Sequence, residues 1–368
     1  MVSSWQKQMV ESKVIWFEVL TPKQAMLFLA FGEKLKEFGI EAHYTTRKHD
    51  YIADIFKHRN VSPATFGVYG GKSLAGKLIA SAKRVVELAE HIADLEKKPL
   101  ATISFSSPDA ARVAFGLGIP LILLNDTAHS KPVARLTFSL ARYLITPSCI
   151  NKEDFIRLGA QPEIIHQYAG VDEGEYITAE SYKQYLKKRE ESKEEKYLVF
   201  RPEESFASYM KDKDSTPYLE ILEEAVKHYS GKVLVFPRYG AQKEIIQEKF
   251  GDKIIIPENG YHFLELYANA EVLITGGGTM ARESALLGIP SITYFWRHLE
   301  PQKFIEERGF PSYSTQTIPE TKKIIKKICS NPKEYFVDPT KMLPKLEKPS
   351  SKILSLLKND DEFRNYFI

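Results

Sequence analysis

The sequence predicts an α/β protein made of two doubly wound parallel-sheet domains facing a central cleft. Three observations carry that prediction. Short β-branched and apolar runs alternate with amphipathic, helix-length segments along most of the chain, which is the pattern of a parallel sheet covered by helices. At 368 residues the chain exceeds one comfortable core. The alternation also weakens after Gly170-Val171-Asp172, crosses the charge-dense stretch SYKQYLKKREESKEEK (181–196), and restarts at Tyr197. The expected division is therefore a first domain over 1–172, a charged linker over 173–195, and a second domain over 196–335. A tail over 336–368 contains an amphipathic segment (350–357) suited to packing back on the first domain.

Taken in order, residues 14–20 (VIWFEVL) read as the first strand. Thr21-Pro22-Lys23 then starts a helix closed by Gly39. Strands follow over 40–46, 64–68, 100–105, 119–124 and 142–145, with helices between them. In the second half, strands are expected over 197–201, 232–236, 253–256 and 272–275. In doubly wound sheets, ligands lie beyond the carboxyl ends of the strands. That rule gathers Thr21, Lys23, Arg47, Gly70, Gly71, Lys72, Ser106, Asp109, Asp126, His129 and Ser148 into one region of the first domain.

Composition excludes several classes. A net charge of +3 with intermixed lysines, arginines and acids gives no basic stripe for nucleic acid. Two distant cysteines, Cys149 and Cys329, argue against a disulfide framework or structural zinc and point to a reducing cytoplasm. The polar start MVSSWQKQMVESK is unlike a signal peptide, and no apolar run is long enough to span a bilayer. Residues 129–142 (HSKPVARLTFSLAR) mix basic and apolar residues. They suit either a half-buried helix or peripheral contact with a membrane face.

The most informative stretch is 271–296, EVLITGGGTMARESALLGIPSITYFW. It reads as strand, glycine turn, helix and strand, which makes one βαβ unit. Gly276, Gly277 and Gly278 let the backbone approach a ligand closely, and the helix from Thr279 aims unpaired N–H groups at the turn. Glu283, one turn in, is placed to accept from ribose hydroxyls beside a diphosphate. The same turn also suits plain helix-on-strand packing. GxGxxG is absent, and GVYGGKS (67–73) falls one residue short of a Walker loop, which disfavours nicotinamide and NTPase sites. Neither the nine histidines nor Asp212-Lys213-Asp214 forms a convincing metal site, so no metal and no resident cofactor are expected.

For acid–base chemistry the candidates are Asp126 and His129, just past an apolar strand, and Glu18, an odd residue for a buried strand. Helix capping and surface exposure account equally for the first two. Arg201, Arg238, Arg47 and Lys72 are candidates to neutralise a diphosphate, with His262 beside the second-domain site.

Two domains of this kind with TGGGTMARESALLGIPSI in the second resemble the GT-B glycosyltransferase architecture. Gly277 to Pro290 is similar to the donor loop of the lipid-linked peptidoglycan glucosaminyltransferase, with Glu283, Gly288 and Pro290 at matching spacing. The non-hydrolysing UDP-N-acetylglucosamine 2-epimerases share it as SGG-x-x-E-E. Gly277, Gly278 and Glu283 match there, but Arg282 replaces the first Glu. Nearly the whole chain resembles domain-of-unknown-function family 354, whose members are predicted glycosyltransferases. WFEVLTPKQ (16–24), TTRKHD (45–50), GGKSLAGKL (70–78), AFGLGIPLILLNDT (114–127) and RPEES (201–205) carry that resemblance. It implies that Gly277, Gly278, Thr279 and Glu283 hold a nucleotide-diphosphate sugar as substrate. The first domain would then present a glycan or lipid-linked acceptor and the base.

Overall fold

The computed structural model describes residues 13–48, 52–71, 73–203, 217–258, 263–295, 297 and 299–367. The chain divides into two compact units. The first runs to Tyr176 and takes up the chain again from Glu347, and the second is Ile177–Leu346.

Unit 1 alternates strand and helix: β1 (Val14–Val19), α1 (Pro22–Leu35), β2 (Glu41–Lys48), α2 (Ile52–His58), β3 (Ala64–Val68), α3 (Leu74–Ala93), β4 (Ala101–Ser104), α4 (Pro108–Gly116), β5 (Leu121–Leu124), α5 (Lys131–Thr137), β6 (Tyr143–Pro147), α6 (Lys152–Arg157) and β7 (Ile165–Tyr168). All neighbours pair in parallel, in the order β3-β2-β1-β4-β5-β6-β7. All six residues of β1 are buried, as expected of a central strand covered on both faces. The chain winds outward from β1 through β2 to β3, then returns to β4 and builds the other edge. That reversal between β1 and β4 is the switch point where such sheets open to ligands. Side-chain caps start the helices: Thr21 accepts from the Gln24 amide, Ser73 from Gly76, and Ser107 from Ala110.

The strand β7 has no counterpart in the sequence reading. Its IHQY carries two polar residues, so apolar periodicity misses it, and an edge position makes that polarity tolerable. The helix α14 (Pro349–Asn359) belongs to this unit and packs on β6 and β7. Ser350 donates through its amide and hydroxyl to Glu175 at 2.9 and 2.7 Å, and Lys34 closes on the same carboxylate at 2.5 Å. Arg142 grips Asp360 through two nitrogens at 2.9 and 2.8 Å. These polar contacts pin an element that its apolar face alone leaves free to slide.

Unit 2 comprises α7 (Ala179–Glu191), β8 (Tyr197–Arg201), α8 (Pro217–His228), β9 (Lys232–Val235), α9 (Gly240–Phe250), α10 (Phe263–Ala268), β10 (Ala270–Thr275), α11 (Thr279–Leu286), β11 (Ser291–Thr293), α12 (Glu300–Glu306), β12 (Ser312–Ser314) and α13 (Ile318–Cys329). Its parallel sheet has the order β12-β11-β10-β8-β9. Leu198, Phe200, Val272, Ile274 and Ile292 bring its core together under α8 and α13. Its own reversal lies between β8 and β10.

One expectation is corrected here, and one open reading is resolved. The strand over 253–256 shrinks to a single parallel bridge between Ile255 and Leu234, because Pro257 follows at once and has no N–H to extend the ladder. The charged stretch near 181–196, which reads as a solvated helix or linker, holds the helix α7 over Ala179–Glu191, opened by a Thr178–Ser181 capping box. Tyr182 and Tyr185 are buried one turn apart, and Arg189 donates to the carbonyls of Ala268 and Ala270. Its charges occupy the remaining faces, which is why the composition reads as solvated.

Among the described residues no helix is long and apolar enough to cross a membrane.

Candidate functional site

In unit 2 the glycine turn Gly276 to Gly278 leaves the carboxyl end of β10 at the switch point, beside the end of β8. The Gly276 amide donates to the Arg201 carbonyl at 3.1 Å. A Cβ on Gly276 would lie 2.4 Å from the Glu203 Cβ and 2.7 Å from its Cα, so no side chain fits. Gly278 occupies the N-cap of α11 without any capping side chain, which leaves first-turn amides facing the turn. Two guanidinium groups close on the same backbone. A Cβ on Gly277 would sit 3.1 Å from an Arg238 Nη, and one on Gly278 would sit 2.6 Å from an Arg282 Nη. Arg238 is itself steered by donating from Nε to the Pro202 carbonyl at 2.9 Å and from its amide to Gln242 Oε1 at 2.9 Å. Glu283 is buried in α11 and accepts from the Tyr267 hydroxyl at 2.9 Å, which fixes the direction of its carboxylate. The turn thus combines a backbone with no side chains of its own, packed against Glu203 and Leu299, with first-turn amides that have no side-chain cap and two guanidinium groups.

In unit 1 the switch point assembles a second cluster. Lys23, at the start of α1, donates to Asp126 and Asp172 at 2.9 Å each and lies 4.0 Å above the Phe105 ring. Tyr168 donates to Asp172 at 2.6 Å, and Thr127 Oγ1 donates to Asp126 at 2.9 Å. Burial raises the Asp172 pKa from 3.8 to about 6. Lys23 opposes that shift, while Asp126 and Glu173 add to it. Folded Asp172 therefore keeps its proton to higher pH than the unfolded chain does. Between about pH 4 and 6 folding takes up a proton, and stability through this group falls as pH rises. Asp172→Asn removes that dependence. Its unfolding free energy relative to the parent is expected to climb across the window and level off above it, as read by urea denaturation at stepped pH. A difference that stays flat would show Asp172 titrating alike in both states.

Glu18 lies elsewhere. It is fully buried, pairs with Thr45 and Ser104 in register across the sheet, and accepts from the Thr45 hydroxyl at 2.5 Å. It meets Arg84 at 2.6 Å, out of hydrogen-bonding alignment. Arg84 also reaches Asp109 at 3.2 Å and the Phe66 carbonyl at 3.0 Å. Burial raises the Glu18 pKa in spite of Arg84. It holds strands to α3 and has no open face toward a substrate.

The remaining residues sort plainly. Thr21 caps α1. Ser106 adopts φ 51° and is tied between the Leu124 carbonyl and the Asn125 side chain, joining the ends of β4 and β5. Gly70 backs onto the first turn of α3, where a Cβ would meet the Gly76 carbonyl oxygen at 2.6 Å, so close packing explains that glycine. Gly71, at φ +75°, makes the turn before it. His129 sits in the turn before α5, and Asp126 does not cap that helix, whose N-cap is Ser130. Arg201 ends β8 beside the glycine turn, and Arg47 is the last residue but one of β2. Lys72 and His262 lie outside the described residues.

A family model described as "Protein of unknown function (DUF354)" matches residues 13–342. The chain belongs to that family. The uncharacterized protein MJ0665 of Methanocaldococcus jannaschii is 30% identical over 291 residues, covering 77% of this chain and 82% of the relative. Among solved structures, the UDP-GlcNAc 2-epimerase of the same organism, in complex with UDP-GlcNAc and UDP, superposes with a TM-score of 0.68 at 18% identity. It covers 94% of this chain and all of its own. Anabaena Alr3699/HepE with UDP and glucose gives 0.63 at 12% identity over 95% and 100% of the two chains. The epimerase of Rickettsia bellii gives 0.68 at 14% over 97% and 99%. At these identities the likeness is one of fold, and the two parallel-sheet units are GT-B-like.

In this DUF354 chain, sequence reasoning missed Asp172, Tyr168 and Tyr267. Asp172 stands in the acidic run VDEGE, which looks like the end of a domain, and nothing local announces its partner Lys23, 149 residues earlier. Arg282 was legible only as a departure from an acidic pattern.

Proposed function

We propose that this chain is a glycosyltransferase that moves a sugar from a nucleotide-diphosphate donor, taken as a UDP-sugar, to a hydroxyl acceptor without a metal ion. The observation that carries the reading is the convergence of Arg238 and Arg282 on the glycine turn at the head of α11. A departing diphosphate gains negative charge as the sugar–oxygen bond breaks. Preplaced guanidinium groups and helix-start amides stabilise that charge more in the transition state than in the ground state. Glu283, aimed by Tyr267, takes the ribose hydroxyls. Unit 1 supplies the acceptor and the base. Asp126 is the base of choice, because it is partly accessible where Glu18 is sealed. The acceptor oxygen bonds to the anomeric carbon, the carbon–oxygen bond to the diphosphate breaks, and the acceptor proton passes to Asp126. Lys23 pairs with Asp126 and Asp172 and holds both in place.

The solved epimerases bound to UDP-GlcNAc motivate a second reading, sugar-nucleotide epimerisation. Against it stands Arg282, a cation where the epimerase pattern carries its first Glu. A panel of UDP-, GDP- and dTDP-sugars separates the two. Release of nucleoside diphosphate that depends on an added acceptor supports transfer. Solvent deuterium at the sugar C2 without an acceptor supports epimerisation. No turnover and no thermal shift with any donor leaves neither standing.

A further inference from the structure

The helix α3 is apolar on two faces. The inner face is used within the chain: Arg84, Leu88 and Ile92, four residues apart, are buried against unit 1. The outer face meets solvent. Ala75, Ile79, Ala82, Val86, Ala89 and Ala93 recur at alternating spacings of four and three, which sets them in one stripe along the helix, and none of them is buried. Ile79 and Val86 are each more than half exposed, and Leu78 widens the stripe at 70% exposure. Among the described residues, six of the ten large apolar side chains left exposed lie between Val68 and Val86. We propose that this outer face of α3 packs antiparallel on the same helix of a second copy of the chain, across a two-fold axis.

A helix that is apolar on opposite faces belongs between two layers, and unit 1 covers only one of them. Monomers rarely expose a contiguous apolar face beyond roughly a few hundred Å². The spacing is that of a coiled-coil seam, a shape that fits another helix. Ile79 and Val86 fall at one seam position, closed by Ala93 in the last turn, and Ala75, Ala82 and Ala89 fall at the other. Antiparallel pairing opposes those two positions, so each β-branched side chain meets a small one and the backbones approach closely. Charge sets the direction. Lys83 flanks the stripe toward its start, Glu87 and Glu90 toward its end, and all three are exposed. Among the described residues no ion pair engages any of them. Antiparallel copies set the lysine half of one helix against the acidic half of the other, on both sides of the axis, whereas parallel copies set like on like. An anionic bilayer is the other surface that an exposed amphipathic helix can meet. It fits this face less well, because the two acids repel anionic headgroups and the alanines bury little among acyl chains.

The pairing goes beyond the transferase reading and is tested without turnover. The full chain is run by sedimentation velocity from low to high micromolar concentration, where the parent is expected to move as two chains. Ile79→Glu places a charge in the seam and is expected to weaken pairing by about 100-fold or more, with an unchanged circular-dichroism spectrum. Lys83→Glu is expected to weaken it by about three- to tenfold, and the charge-reversed Lys83→Glu/Glu87→Lys/Glu90→Lys to recover it. Lys83→Glu and its recovery keep the test valid if Ile79→Glu disturbs folding. A parent that stays a single chain at every concentration overturns the pairing, as does a pair that neither variant weakens. Loss in Lys83→Glu without recovery on charge reversal overturns the antiparallel sense. A single chain that sediments with phosphatidylglycerol vesicles, and stops doing so in Ile79→Glu, also overturns the pairing and assigns the face to a bilayer.

Discussion

Replacing Lys23 by Met is expected to cost the first unit about 3–5 kcal/mol at neutral pH, the usual penalty for stranding buried charge. Lys23 is the shared cation of Asp126 and Asp172, and its side chain is only 11% exposed. Without it, Asp126 and Asp172 lose their shared cation, while Tyr168 still donates to Asp172 and Thr127 to Asp126. The strain is relieved by protonating one of them. Asp172 is already pushed upward by burial, so loss of Lys23 moves its pKa higher still. The sign follows directly. The destabilisation is largest above the raised pKa and shrinks as pH falls through it. Urea denaturation at pH 8 and pH 5 reads both values. Adding Asp172→Asn to Lys23→Met should restore part of the loss, since the neutral amide no longer repels Asp126. Equal penalties at both pH values, or no rescue in the double variant, would mean the three groups are not coupled. Turnover should fall in Lys23→Met even where the fold is rescued, because Asp126 then lacks the cation that positions it.

The second large effect is expected at Glu283. Truncation to Ala removes the carboxylate that we propose accepts from ribose hydroxyls, and charge-assisted hydrogen bonds contribute roughly 1.5–3 kcal/mol each. UDP affinity is expected to drop by about 10- to 100-fold in Glu283→Ala. Glu283→Gln preserves shape and an acceptor for the Tyr267 hydroxyl, so it separates packing from recognition. If Gln binds UDP as the parent does while Ala does not, the role is shape. If both lose affinity with an unchanged Tm, the charge is recognised. Parent-like UDP binding in both variants would remove Glu283 from the donor site.

Comparing sequence with structure shows which signals are local. β1, β8 and β10 are legible because buried parallel strands are continuous apolar runs, and their helices are bracketed by Thr21-Pro22, Ser107-Pro108 and similar caps. The glycine turn is legible for the same reason, since Gly276 must be glycine in any chain that brings Glu203 this close. The strand β7 is not legible, because its side chains obey an edge environment that only the completed sheet creates. The helix α7 is legible as charge and not as a packed element, because two tyrosines among many charges define too narrow a stripe.

The amino-acid sequence by itself determined the α/β class, the two-sheet plan, the family and the position of the glycine turn. Each rests on neighbours along the chain: strand-length apolar runs, caps and glycines. Only the tertiary structure decided which polar residues act together. It set Glu18 into a sealed network with Arg84 and joined Lys23 to Asp126 and Asp172. It also brought Arg238 and Arg282 onto one turn and left the outer apolar face of α3 toward solvent. The physical reason is range. Propensity and capping act within a few residues, whereas a buried ion pair couples side chains more than a hundred residues apart, and its sign and strength depend on the burial that folding creates.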